Sequence, residues 1–119
     1  MDVRKRTGRL GETAAAAFLE RQGVRILEKN FRSRFGEIDL IGLDGSCLAV
    51  IEVKTRKSPA SGEGAEAVDL RKQRKICSTF NYYRMKKRLT DFTSVRFDVI
   101  EVDQSFHCRW IKNAFDYLE

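Results

Sequence analysis

The stretch Phe35-Gly36-Glu37-Ile38-Asp39-Leu40-Ile41-Gly42-Leu43-Asp44-Gly45-Ser46-Cys47-Leu48-Ala49-Val50-Ile51-Glu52-Val53-Lys54 decides how this chain is read. Two apolar runs flank Asp44-Gly45, a type I′ hairpin signal. Arg34 to Leu43 and Cys47 to Thr55 are therefore predicted as paired strands. Side chains alternate between the faces of a strand. Glu37, Asp39 and Ile41 share one face of the first, and Leu48, Val50, Glu52 and Lys54 one face of the second. With Asp44 and Gly45 as the two turn residues, Leu43 pairs with Ser46, Asp39 faces Val50 and Glu37 faces Glu52. Asp39 is then the diagonal neighbour of Glu52, about 7–8 Å away at the backbone. Two carboxylates so placed can converge on one cation, and a one-residue slip would separate them. Hard oxygen ligands point to Mg²⁺ or Mn²⁺ rather than zinc. Lys54 projects beside the same position. An E-x-K triplet alone is commonly a solvated strand face; the matching of two acidic faces across one hairpin is what points to a site.

Outward from the hairpin, Gly11 to Arg21 reads as a helix. Glu12, Ala15, Ala16 and Leu19 fall on one face, which puts a carboxylate at the start of a face small enough to approach a sheet closely. Gly23 stops this helix and Val24 to Phe31 is strand-like. Residues 57–64 (KSPASGEG) read as a loop, and Ala65 to Leu89 as a long helix. Arg96 to Val102 and Phe106 to Ile111 are the last strands, the latter followed by a short tail. The order α-β-β-β-α-β-β predicts an α/β fold, a mixed sheet of about five strands flanked by helices, in one domain over residues 1–119. Asp98 is expected as a buried hydrogen-bonded acid or in an ion pair with Arg96 or Arg109. Trp110, Phe106 and Phe115 are expected in the core, and the cysteines as buried small hydrophobes.

The chain has 119 residues and a formal charge of +6. Eight bases and no acid lie between Arg71 and Arg88, and Arg4, Lys5, Arg6 and Arg9 form a second cluster. Such clusters are the footprint of a polyanion partner. One histidine, His107, excludes sites that need two imidazoles. Cys47, Cys77 and Cys108 form no zinc or disulfide pattern. With no signal peptide and no transmembrane run, the expectation is a cytoplasmic protein without membrane contact.

Taken in order, several motifs resemble one family. They are Gly11-Glu12-x-Ala-Ala, Ile26-Leu27-x-x-Asn30-Phe31-Arg32, Gly36-Glu37-Ile38-Asp39-Leu40-Ile41, Glu52-Val53-Lys54-x-Arg56, Lys72-Gln73 and Arg96-Phe97-Asp98-Val99. Together they are similar to the YraN-type family (UPF0102), placed in the PD-(D/E)xK superfamily with archaeal Holliday junction resolvases and the RecB nuclease domain. The resemblance implies a restriction-endonuclease-like core and a divalent-metal nuclease site. By position, Asp39 and Glu52 would be metal ligands, with the Val53 carbonyl a third. Glu12 would be the helix-borne acid, acting through water, and Lys54 the catalytic lysine. Ile38 stands where the superfamily motif has proline, a backbone-shaping position. Arg56, Lys57, Arg71, Lys72, Arg74 and Lys75 would contact the nucleic-acid backbone; Lys72 and Gln73 read either as part of a basic surface helix or as a phosphate clamp near the metal. The partner implied is DNA, branched or a repair intermediate, and branched substrates favour a two-fold homodimer. The alternative is a non-catalytic nucleic-acid-binding or adaptor protein on the same scaffold.

Overall fold

Seven elements follow one another in the computed structural model, which describes residues 3–56, 68–90 and 93–118, with side chains from residue 8 onward. They are α1 (Val3–Arg21), β1 (Arg25–Ser33), β2 (Gly36–Asp44), β3 (Cys47–Thr55), α2 (Leu70–Lys86), β4 (Ser94–Val102) and β5 (Cys108–Phe115). The strands form one sheet in the order β1-β2-β3-β4-β5. All neighbours are antiparallel except β3 and β4, which run parallel and are joined by the crossover that contains α2. The predicted mixed α/β sheet and element order are therefore present. The predicted loop 57–64 and Lys57 lie outside the described residues.

Each face of the sheet carries one helix. Ala15, Ala16 and Leu19 of α1 pack on Leu40, Ala49, Ile51, Ile100 and Val102. Ile76, Cys77, Phe80 and Tyr83 of α2 pack on Ile38, Ile41, Val50, Phe97 and Val99. Alanine at two helix positions keeps α1 close to the strands. Gly42 does the same inside the sheet, since a Cβ there would lie 2.6 Å from the buried Val24 Cγ1.

Several boundaries differ from the sequence reading. α1 begins at Val3, not Gly11, because the apolar periodicity marks only the part of the helix that meets the sheet. α2 begins at Leu70 rather than Ala65, where the Asp69 carboxylate caps it by accepting from the Lys72 N–H at 2.8 Å. It ends at Lys86, with Arg88 in the left-handed region at φ 55°. The first two strands meet in a tight turn at Arg34-Phe35, with Ser33 paired to Gly36. β5 runs on to Phe115, so Phe115 is a buried strand residue rather than part of a tail. Phe106 is half exposed in the β4–β5 turn, not core. Of the cysteines, only Cys77 is fully buried.

Asp98 is fully buried on β4 and is saturated with donors. It accepts from Arg96 Nε at 2.9 Å, Trp110 Nε1 at 2.9 Å and the Asn113 N–H at 2.8 Å. Arg96, not Arg109, is its ionic partner, and Arg96 also reaches Asp44 at 3.0 Å. Asp98→Ala strands these donors in the core and is expected to cost about 3–5 kcal/mol in urea unfolding. A loss below about 1 kcal/mol contradicts the structural role.

Candidate functional site

The β2–β3 hairpin does not turn where its sequence suggests. Asp44 pairs with Cys47, which leaves Gly45 and Ser46 as the turn. Gly45 has φ +63° and Ser46 has no positive φ, as a type II′ turn requires. Asp44 stays in the ladder, where its side chain holds Arg96. The register therefore moves by two residues from that expected. Asp39 and Glu52 still lie close enough for the Glu52 charge to act on Asp39, while their predicted diagonal placement is lost.

The ladder runs from Asp44↔Cys47 to Leu40↔Ile51 and stops. One step further, Asp39 and Glu52 are no longer ladder partners, but the Glu52 charge still acts on the Asp39 carboxyl. Here the Asp39 carboxylate replaces a backbone partner: the Val53 N–H donates to its Oδ2 at 2.8 Å. Strict alternation also breaks at this point. Ile38 packs in the α2 layer, Leu40 in the α1 layer, and Ile41 in the α2 layer again. Asp39 thus sits in a gap between two strands, accessible to groups from both helices.

From α1, Glu12 reaches this gap. Its pKa is raised, first by burial and then by the charge of Glu37. Asn30 on β1 has φ 53°, a left-handed conformation that Asn tolerates better than most residues. With its amide nitrogen turned to the acids, Asn30 donates to Glu37 Oε1 at 2.7 Å and to Glu12 Oε2 at 3.0 Å. Arg32 Nε lies 3.5 Å from Glu37 Oε2. Glu37 is therefore satisfied by β1 rather than opposed to Glu52 as the sequence register had it.

From α2, Lys72 reaches Glu52: Nζ lies 2.5 Å from Oε1. Lys54 Nζ is 3.9 Å from the same oxygen. Burial and then the charge of Lys72 lower the Lys54 pKa. Burial opposes the charge on Lys72, but its hydrogen bond and ion pair with Glu52 prevail and raise its pKa. The Asp39 carboxyl is pushed up to about 8 by burial and then by the Glu52 charge. Burial and the like charge of Glu52 favour a proton or a cation at Asp39. The donor set is hard oxygen and suits Mg²⁺ or Mn²⁺. Among the described residues no three His, Cys, Asp or Glu side chains form a ready metal cage. The fit is thus to a two-carboxylate site, Asp39 and Glu52. A strand residue directs its N–H and C=O toward the same neighbour. Since the Val53 N–H meets Asp39, its carbonyl is directed into the same gap.

The remaining predicted positions divide. Arg71, Arg74 and Lys75 are exposed on α2, and among the described residues no carboxylate pairs with them. Gln73 is turned away from the gap, donating to the Val68 carbonyl at 2.7 Å. Arg56 Nε pairs with the buried Glu101 at 3.2 Å, which Arg109 also contacts, so Arg56 is held by the sheet. Asn30 and Glu37 were not among the predicted site residues. The signal for Asn30 was a lone amide in a strand sequence that otherwise disfavours it.

A mixed five-stranded sheet whose central hairpin opens around Glu12, Asp39, Glu52, Lys54 and Lys72 defines an α/β protein with a built carboxylate–lysine site. Residues 11–102, which contain all five, match the model of the family described as Uncharacterised protein family UPF0102. The chain belongs to this family. It is 43% identical over 111 residues to a UPF0102 protein of Persephonella marina, covering 92% of each chain. It is 44% identical over 116 residues to one of Clostridium botulinum (strain Loch Maree), covering 93% of this chain and 94% of that one. A Syntrophus aciditrophicus relative is 45% identical over 114 residues, covering 93% and 89%.

Proposed function

We propose that this protein is a divalent-metal-dependent endonuclease that hydrolyses phosphodiester bonds of DNA. The observation that carries the reading is the meeting of the Asp39 and Glu52 carboxyl groups where the β2–β3 ladder ends, with Lys54 beside Glu52. Asp39, Glu52 and the Val53 carbonyl would hold Mg²⁺ or Mn²⁺. Bound there, the ion supplies Lewis-acid activation of a phosphoryl oxygen and compensates charge on the leaving oxygen. Lys54 orients the attacking water and neutralises charge as the new P–O bond forms, the water's proton passing to solvent. The bridging P–O bond breaks and the leaving oxygen takes up a proton from solvent. Glu12 stands at the rim with Asn30 as an orienting group for water. Lys72, Arg71, Arg74 and Lys75 neutralise the phosphate backbone, which gives affinity without sequence preference. The three free thiols suit the reducing cytoplasm. No helix among the described residues is long and apolar enough to cross a membrane.

The test titrates Mg²⁺ and Mn²⁺ into the purified protein with labelled linear, flapped and four-way DNA. Cleavage that requires the divalent ion is expected, and the preferred substrate names the role, branched cutting pointing to a homodimer. Retained binding without cleavage under either ion overturns the reading. One observation favours a second reading, a nucleic-acid-binding module: Lys72 already neutralises Glu52. In that case binding persists, log affinity falls linearly with log salt, and loss of Glu52 leaves it unchanged.

A further inference from the structure

A second surface adjoins the site and is built from different chemistry. Arg32, Ser33, Arg34 and Phe35 of the β1–β2 turn face Ser78, Asn81, Tyr82 and Met85 of α2 across a groove of about 620 Å³. Phe35, Tyr82 and Met85 are 43%, 37% and 68% exposed. Large apolar side chains rarely gather on a surface without a partner. The groove lining contains two arginines and no acid. Arg34 lies over the Phe35 ring at 4.9 Å, and among the described residues no carboxylate pairs with it. Tyr82 is backed by Phe31 at 6.0 Å, and Lys86 lies over Phe31 at 5.9 Å. Partly exposed aromatic rings interleaved with guanidinium groups suit the stacking of unpaired bases and the holding of their phosphates.

Side-chain contacts connect the groove lining to the acids of the gap. Arg32 lines the groove and pairs with Glu37, which Asn30 links to Glu12. The Ser33 and Thr79 hydroxyls lie 3.0 Å apart, fixing the turn to α2. A Cβ on Gly36 would sit only 3.4 Å from the Lys75 Cβ, so Phe35 and Glu37 flank a point of close contact with α2. Along the helix, Lys72 and Tyr82 are about 15 Å apart, with the exposed Arg74 and Lys75 between them.

We infer that this groove is a stacking platform for unpaired nucleotides, so that the substrate carries a single-stranded segment along α2 toward the gap. The inference rests on the proposed nuclease reading for the meaning of the gap, but its test does not. Binding of labelled oligo(dT), oligo(U) and a duplex hairpin is measured in EDTA, where cleavage is silent. The native chain is compared with Phe35→Ala and with Tyr82→Leu, which keeps an apolar contact to Phe31 but no ring. Each variant is expected to lower single-strand affinity about tenfold and to reduce the ratio of single-strand to duplex affinity. The two oligomers distinguish DNA from RNA as the source of the unpaired bases. Equal single-strand affinity for the native chain and a folded Phe35→Ala variant overturns the inference. So does a native dimer that Phe35→Ala dissociates in sedimentation, which would give the groove to a second copy. Failure of the nuclease reading alone leaves the stacking result intact.

Discussion

Glu52→Gln is expected to lower divalent-dependent cleavage on the order of 10³-fold or more while leaving the chain folded. Glu52 is the point at which the site's charges meet. It is buried, Lys72 and Lys54 both approach its Oε1, and its charge is the second cause of the raised Asp39 pKa. Glutamine keeps the volume and one oxygen but removes the charge. Single-turnover cleavage with saturating Mn²⁺ checks the expectation. Duplex binding in EDTA should change little, because Lys72 is released to meet phosphate instead of a carboxylate. Activity within tenfold of native would show that Glu52 serves structure and not chemistry.

Asp39→Asn is expected to separate activity from stability. It should abolish cleavage as Glu52→Gln does, yet stabilise the metal-free chain at alkaline pH. The ordinary Asp pKa is near 3.8, and burial and Glu52 push that of Asp39 up to about 8. Between those values the folded chain keeps a proton that the unfolded chain has released. Stability of the metal-free chain therefore falls as pH rises from about 4 to about 8. Asparagine still accepts the Val53 N–H but cannot ionise. At pH 8 it should be more stable than the native chain by at least about 1 kcal/mol, and the difference should vanish near pH 4. Urea unfolding in EDTA at the two pH values measures this. A variant less stable than native at pH 8 would mean that Asp39 is held by interactions that outweigh its burial. Added Mg²⁺ should stabilise the native chain and not the variant, by ordinary linkage.

The site was legible in the sequence where a simple periodicity governs it. Parity groups Glu52 with Lys54, and a two-residue error in register leaves that unchanged; Asp39 meets Glu52 although alternation breaks at its own position. The turn itself depended on tertiary contact. Arg96, fifty-two positions from Asp44, draws that aspartate into the ladder, and no local signal announces this. The break in alternation at Asp39 was equally hidden, because it follows from an acid side chain taking the place of a backbone carbonyl. Asn30 was missed because its role depends on a left-handed backbone that only the fold imposes. Arg56 shows a contact that was equally hidden. It is adjacent to the E-x-K motif, but a buried glutamate on the neighbouring strand claims it. The α1 boundary was misplaced because its first turns carry no apolar stripe to read.

The parallel pairing of β3 with β4 sets an order in which the site can be assembled. Its partners, from Cys47↔Ser94 to Thr55↔Val102, are 47 positions apart in the chain. The β1–β2–β3 meander closes through two tight turns and needs no such long loop. Long-range pairing is slow because loop closure precedes any gain from contact. The two acids, both on the early hairpin, thus come together before α2 delivers Lys72. In that order of assembly, Asp39 and Glu52 meet before Lys72 can offset the Glu52 charge. Divalent ions or low pH at that stage should speed the early phase and leave the later docking of the crossover unchanged.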